Sequence, residues 1–332
     1  MKALVTGATG FTGDKLAREL FQRGFQVRVL ARDPGAVVQS QEYQPEIIRG
    51  DIREKESVFR AVKSMDLVFH IAALYRSGRT DEKTYWDIHV EGTRHIVEAA
   101  LHYQVGRVVH CSTVGVHGDV QNGIADEDFY FKPGDIYQLT KLNGELLALR
   151  LAGQYGVPIV VIRPTAIFGP GDFRLLKLFK LAKQRVIAFP GTGNIHYHMV
   201  YVQDLVDAFI LASERETALG ESFIIGADDC LTLNELLDLM GSCLGRQGKK
   251  IHLPAGPFQV AGSACEALFG ALGREPPIYR RRVDFFTKNR HFTIHKAKEI
   301  LGFRPKVSLA SGIQMTADWY VSEGFIGHAA KN

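Results

Sequence analysis

The sequence predicts an α/β fold, a doubly wound parallel sheet followed by a smaller, mostly helical C-terminal lobe. Three observations carry this. Strand-like and helix-like segments alternate through the first half of the chain, the pattern of helices laid on both faces of a parallel sheet. The strand-like segments are almost continuously apolar, as strands covered on both faces must be. A glycine-rich turn stands between the first strand and the first helix.

In chain order, strands are read in "KALVT", "QVRVL", "EIIRG", "DLVFHIA", "GRVVHCS" and "PIVVIRP". Between them, residues 13–23, 54–64, 82–103 and 134–155 carry apolar side chains at i, i+3 and i+4, so each reads as a helix with one buried face. After Pro164 the alternation breaks. Segments 172–185, 232–245 and 256–272 read as helices separated by Gly- and Pro-containing turns, and the chain returns to the sheet around "MVYVQDLVDAFILA" and "SFIIG". One domain therefore spans 1–164 with a return near 198–226, and a second lobe takes 165–197 and 227–328.

Composition narrows the function classes. With 332 residues, 46% apolar and 23% charged, the chain is long enough for one large core and a smaller lobe. The net charge of +4 is mild and the basic residues interleave with acids, so no nucleic-acid stripe or membrane-surface patch is expected. The run Arg280, Arg281, Arg282 is read as a solvated face. Cys111, Cys230, Cys243 and Cys265 show neither C-x-x-C nor zinc spacing, so no disulfide framework and no metal site are expected. No apolar run approaches the length of a membrane span, and a cytoplasmic location is the expectation.

The opening "LVTGATGFTGDKLAREL" puts Gly7, Gly10 and Gly13 between a strand and an amphipathic helix. In that context, Gly7 makes the turn, Gly10 admits a pyrophosphate and Gly13 lets the helix pack on the sheet, the Rossmann arrangement for a dinucleotide. Phe11 and Thr12 lie in the same turn, and the Thr12 hydroxyl can reach the phosphate. The 1–164 domain is thus expected to bind a dinucleotide, leaving the second lobe for substrate. The second strand ends "RVLARDP". Ala31 offers nothing to an adenosine ribose, whereas Arg32 offers a cation to a 2′-phosphate, which favours NADP; Asp33 keeps NAD open through a ribose hydroxyl.

In "GDIYQLTKLNGE", Tyr137 precedes Lys141 by four residues, which sets both on one helix face. A tyrosine hydroxyl has an ordinary pKa of about 10, too high for acid–base work at neutral pH, and an ammonium one turn away favours the phenolate. The pair becomes a usable proton donor and acceptor. Tyr137 is the only one of the eleven tyrosines with a lysine at i+4. A strand ending "VVHCST" lies just upstream and brings Ser112 and Thr113 to the carboxyl edge of the sheet, where open α/β sheets bind ligands.

These motifs together resemble the extended short-chain dehydrogenase/reductases, the NAD-dependent epimerase/dehydratase family, over nearly the whole chain. "TGATGFTG" matches the family's glycine motif, "GDI" at Gly50–Ile52 its adenine-side motif, "HIAA" at His70–Ala73 its fourth-strand motif and "YQLTK" its catalytic motif. "RPTAIFGPGD" from Arg163, "VYVQDLVDA" from Val200 and "KAKEILGFRP" from Lys296 follow in the family's order. The resemblance implies that Tyr137 is the acid/base and that Lys141 holds the nicotinamide ribose and lowers the tyrosine pKa. Thr113, with Ser112 as its neighbour and understudy, would bind the substrate oxygen. Asp51 and the Ile52 backbone would border the adenine, and Ala72, Ala73 and Pro164 would lie along the cofactor.

The departures from the pattern sharpen the substrate expectation. The family's "N-V-x-G-T" reads "HVEGT", so His89 replaces an asparagine and is read as a polar core substitution. The Asp–Glu pair of the dehydratases is Val114–Gly115, so elimination by that route is not expected. An Asn and an Arg that hold the pyrophosphate of nucleotide sugars are Ala166 and Tyr197. The segment "GNIHYHM", with His196, Tyr197 and His198, either shapes the substrate pocket or packs the lobe.

The chain therefore looks closer to the dihydroflavonol reductase and 3β-hydroxysteroid dehydrogenase-like members, which act on non-nucleotide ketones and alcohols. The expected function is NAD(P)-dependent hydride transfer between nicotinamide and a ketone or secondary alcohol. A nucleotide-sugar epimerase with a retained NAD, using the same Thr, Tyr and Lys, is the alternative; a regulatory protein sensing NADP would need none of these three. Family members often dimerise through the helices expected here at 82–103 and 134–155, so a homodimer is also expected.

Overall fold

The computed structural model describes residues 1–75, 80–121, 123–271 and 280–327. The side chains of residues 266–271 and 280–282 lie outside the described residues, and with them the Arg280–Arg282 run.

Strands β1 (Lys2–Thr6), β2 (Gln26–Ala31), β3 (Glu46–Arg49), β4 (Leu67–His70), β5 (Arg107–Cys111) and β6 (Ile159–Pro164) form within the apolar runs. Helix α1 (Phe11–Gln22) links β1 to β2, α2 (Lys55–Val62) links β3 to β4, α3 (Glu82–Trp86) and α4 (Gly92–His102) link β4 to β5, and α5 (Ile136–Tyr155) links β5 to β6. Beyond them come β7 (Ala166–Phe168), α6 (Leu176–Ala182), β8 (Val186–Pro190), β9 (His196–Tyr197), β10 (Met199–Tyr201), α7 (Val202–Glu214) and β11 (Ser222–Ile225). The chain continues through β12 (Leu231–Thr232), α8 (Leu233–Cys243), β13 (Lys249–Leu253), α9 (Ala255–Ala271), α10 (Arg280–Thr287) and α11 (Leu309–Ser322).

Seven strands make one sheet in the order β11-β6-β5-β4-β1-β2-β3, with every neighbouring pair parallel. Strand order reverses between β1 and β4, the topological switch point at which such sheets bind ligands. Alternate residues of each strand feed opposite layers. Ala3 and Val5 pack beneath α1 and α7 with Leu16, Leu20 and Phe209, while Leu4 and Val68 face Val58, Ile96 and Ala148. The second lobe has its own core around Phe168, Phe179, Leu236 and Tyr320.

Three elements differ from the sequence-based expectation. The helix expected over 82–103 is interrupted by a π turn at Asp87–Glu91, where the His89 carbonyl lies against Gly144 so closely that a Cβ there would come within 2.2 Å of it. Met199–Tyr201 does not enter the main sheet but pairs with Ala166–Phe168 in a separate two-stranded ribbon, so only β11 rejoins it. The helix expected over 172–185 spans only Leu176–Ala182; at its expected start the Asp172 carboxylate accepts from the Arg174 N–H at 3.1 Å, a side-chain turn that competes with helix.

Candidate active site

A cavity of about 470 Å³ opens at the carboxyl ends of the central strands. Gly7, Gly10, Phe11, Thr12, Gly13, Arg32, Asp51, Ile52, Ala72, Ala73, Ser112, Thr113, Tyr137 and Pro164 all line it. Of the catalytic and cofactor-binding residues expected from sequence, Lys141 alone lies behind the wall.

The glycine spacing has a steric cause at each position. A Cβ on Gly7 (φ +77°) would come within 2.8 Å of the Ala72 nitrogen, and one on Gly13 within 2.2 Å of the Gly7 carbonyl oxygen. At Gly10 a Cβ would meet only that same oxygen, at 3.3 Å, and otherwise open space. The cradle is therefore tight beneath and open toward the cavity. Gly10 caps α1 without a side-chain acceptor, so the N–H groups and dipole of the first turn remain for an anion. Thr6 locks this floor: its hydroxyl accepts from the Ile71 and Ala72 N–H groups, each at 3.1 Å, and donates to Nδ1 of His70 at 3.0 Å. These residues fit a dinucleotide pyrophosphate.

At the far end, Arg32 is exposed on the cavity rim. Asp33 is not among the lining residues, and its carboxylate accepts from the Gly35 N–H at 3.0 Å, capping a short 3-10 turn. Asp51 is gripped by Arg53, with Nε at 3.1 Å and Nη2 at 2.8 Å. Burial alone would raise the Asp51 pKa, but the hydrogen bonds and charge of Arg53, with Arg32 beyond, hold it below the usual carboxylate range.

The Tyr137 corner of the cavity is built on α5. Asp135 starts the helix by accepting from the Gln138 N–H at 2.8 Å, and Tyr137 sits in the first turn. Its ring meets His89 edge-on at 5.5 Å and Tyr75 edge-on at 5.5 Å. One turn on, buried Lys141 donates from Nζ to the Cys111 carbonyl. Burial pulls the Lys141 ammonium pKa down, opposed by Cys111 and Glu145. A further turn on, Glu145 is fully buried; it accepts from Ser112 Oγ at 2.5 Å and from Arg163 Nη2 at 2.5 Å. The Ser112 hydroxyl is thereby committed to the core. Thr113 remains the strand-end hydroxyl on the cavity, accepting from the Gly115 N–H at 3.1 Å.

His89 is a buried core residue whose Nε2 accepts from the Leu74 N–H at 3.0 Å and whose Nδ1 bonds Thr140 Oγ1 at 2.8 Å. It ties the cavity wall after β4 to α5. Burial, with Lys141 and His70 nearby, drops its pKa to about 2. Burial and Lys141 hold His70 at about 3.

Sequence reasoning missed Tyr75, Gln138, Arg174 and Arg290, which also line the cavity. Arg174 follows "GPGD" closely and Tyr75 follows "HIAA" closely, so both were findable as neighbours of motifs. Arg290 comes from a distant loop, and its guanidinium lies 5.5 Å over the ring of Tyr197. Of the "GNIHYHM" segment, Tyr197 faces the cavity, whereas His196 stacks on His291 at 4.2 Å and His198 is buried against the Ala227 carbonyl at 2.8 Å.

Residues 3–226 match the model of the NAD dependent epimerase/dehydratase family, and the chain belongs to that family. It is an NAD(P)-dependent enzyme of the extended short-chain dehydrogenase/reductase type. The chain is similar to the 3-beta-hydroxysteroid dehydrogenase of Mycolicibacterium neoaurum, at 30% identity over 92% of this chain and 87% of that protein. It is 29% identical to a 3beta-hydroxysteroid-dehydrogenase/decarboxylase of Arabidopsis thaliana, over 95% of this chain and 78% of that protein. Among solved structures, gox2253 matches with a TM-score of 0.80 at 27% identity, covering 98% of this chain and 99% of that one. Among the described residues, no helix is long and apolar enough to cross a membrane.

Proposed function

We propose that this chain is an oxidoreductase transferring a hydride between a nicotinamide cofactor, preferably NADP, and a ketone or secondary alcohol of a non-nucleotide small molecule. The observation that carries the reading is that Tyr137 and Thr113 line the same cavity, with Lys141 one turn along α5 from Tyr137. When bound, the cofactor supplies or accepts the hydride. The Gly7–Gly13 cradle holds its pyrophosphate, Asp51 and the Ile52 backbone border its adenine, and Ala72, Ala73 and Pro164 border its length. Tyr137 moves the proton to or from the substrate oxygen, Thr113 hydrogen-bonds that oxygen, and the Lys141 cation favours the Tyr137 phenolate. Arg32 on the rim, with Asp33 turned to its own backbone, supports a 2′-phosphate in preference to a bare ribose.

The relatives named for hydroxysteroids favour an alcohol or ketone on an apolar skeleton, and the Ala166 and Ile167 walls suit one. Replacing Tyr137 with Phe deletes one hydroxyl and should lower turnover about 100-fold or more, the usual worth of a positioned general acid. A variant that keeps most of its turnover overturns the assignment. The second reading, a nucleotide-sugar epimerase, draws on Arg290, a cation beside the Tyr197 position where family members carry an Arg. Calorimetry with UDP, dTDP and GDP on the cofactor-loaded protein separates the two, because micromolar binding belongs to the epimerase. A cytoplasmic homodimer completes the proposal. Leu139 and Leu146, 39% and 45% exposed along one face of α5, and Trp86 on α3 supply its apolar surface.

A further inference from the structure

We infer that Arg174 is a specificity residue that pairs with a carboxylate carried by the substrate near its reacting carbon. The inference rests on the oxidoreductase reading above and goes on to the class of substrate. Arg174 lies in the loop between β7 and α6 and lines the cavity. Its guanidinium is held between two rings, 5.4 Å from the centre of Phe11 in the phosphate turn and 5.7 Å from that of Tyr75. Tyr75 in turn lies edge-on to Tyr137. The cation is therefore one aromatic ring away from the proton-transfer group.

Its donors are unevenly engaged. Asp172 accepts from Nε at 2.6 Å and from the Arg174 backbone N–H at 3.1 Å, and the Ile167 carbonyl accepts from Nη2 at 3.1 Å. Nη1 has no hydrogen-bond partner among the described residues. A guanidinium has five N–H donors, and those at its far end form a fork matched to a carboxylate. Asp172 is 2% exposed, and the Tyr320 hydroxyl donates to its backbone carbonyl. The orienting carboxylate is thus itself fixed, and it fixes Arg174 from the Nε side; Ile167 takes one Nη2 hydrogen, which leaves both Nη1 hydrogens and the second on Nη2 for a ligand. About a third of the Arg174 side-chain surface is accessible (34%).

Arg290 is differently placed from Arg174: it donates to the carbonyls of Asp284, Phe285 and Lys288 and closes the end of α10. The choice of a carboxylate over a diphosphate follows from the surroundings. A diphosphate brings two charges that need several donors when desolvated, whereas Arg174 offers one fork amid Phe11, Tyr75 and Ile167. A single negative charge on an apolar skeleton matches that supply.

The test uses 3-oxodecanoate and its methyl ester as probes with the full chain and NADPH, for wild type, Arg174→Met and Asp172→Asn/Arg174→Met. The double variant guards against misfolding from a buried Asp172 left without its cation. Wild type should favour the acid over the ester in kcat/KM by about 10- to 100-fold, the scale of a charge-assisted pair. In both variants that ratio should fall to near one while the NADPH Kd is retained. An acid-to-ester ratio near one in wild type, or one unchanged in the variants, overturns the inference. So does a loss of NADPH affinity that matches the loss on the acid, which would assign Arg174 to the cofactor pyrophosphate. UDP binding that disappears in the variants also overturns it, in favour of a diphosphate. If neither probe is reduced, decanoate and methyl decanoate are titrated into the NADP-loaded protein. Arg174-dependent preference for decanoate then supports the carboxylate site independently of turnover, while equal or absent binding overturns the site.

Discussion

Acid should loosen this protein through the histidines beneath its active site, and His89 isolates the effect. In the fold its Nε2 accepts from the Leu74 N–H and its Nδ1 bonds Thr140, an arrangement only the neutral ring can make, because a protonated Nε2 would face another donor. Its folded pKa is about 2 against an ordinary 6.5. Between those values only the unfolded chain takes up the proton, so the stability due to neutral His89 is fully present above about pH 6.5 and is lost as pH falls toward the folded value. At pH 5 the loss is about 1.36 kcal/mol for each of the 1.5 pH units below 6.5, or about 2 kcal/mol. His70, at about 3, follows the same course, while Glu127 and Asp204, raised chiefly by burial, oppose it. A difference measurement removes these background groups. Urea unfolding of wild type and His89→Asn at pH 7.5 and pH 5.0 should show the wild-type margin over the variant shrinking by about 2 kcal/mol at the lower pH. A margin that does not change between the two would mean that His89 is not held neutral by its two partners, and the argument fails.

The remaining predictions concern the cofactor site and the surface. Arg32→Ala should erase most of an NADPH-over-NADH preference, about 1.5 to 3 kcal/mol for a charge-assisted bond, read from paired titrations; equal wild-type affinities would mean that Arg32 serves solvent. Gly13→Ala puts a Cβ 2.2 Å from the Gly7 oxygen, so the variant should lose about 1–3 kcal/mol of stability and most of its dinucleotide binding; native-like melting and binding would remove the steric account. Leu139→Glu with Leu146→Glu should convert a dimer to monomers by light scattering with the fold intact, and an unchanged mass would dismiss α5 as the interface.

Much of the fold was legible because a buried parallel strand must be apolar along its whole length and a sheet-covering helix along one stripe, and both patterns are local. The glycine triplet, the Tyr137–Lys141 spacing and the strand end at "CST" were readable for the same reason: each placement depends on residues close together in the chain. The expectation failed where distant chain decided the outcome. Met199–Tyr201 looks like a sheet strand by composition, yet the edge of β6 is taken by β11, and it pairs with β7 instead. Ser112 stands in sequence as the understudy to Thr113, but Glu145, two turns along α5 from Tyr137, claims its hydroxyl.

By itself, then, the sequence determined the doubly wound sheet, the tight glycine turn before α1 and the placement of Tyr137 and Lys141 one turn apart on a helix, because those rest on periodicity, steric freedom at glycine and i, i+4 geometry. Tertiary structure alone decided which groups face the cavity and in what state. Only packing brings Arg174 between Phe11 and Tyr75, lays Arg290 over Tyr197 and seals His89 and His70 away from water. Substrate recognition and proton affinity depend on neighbours and desolvation, and these are set by segments more than a hundred residues apart in the case of Phe11 and Arg174, and fifteen in that of Leu74 and His89.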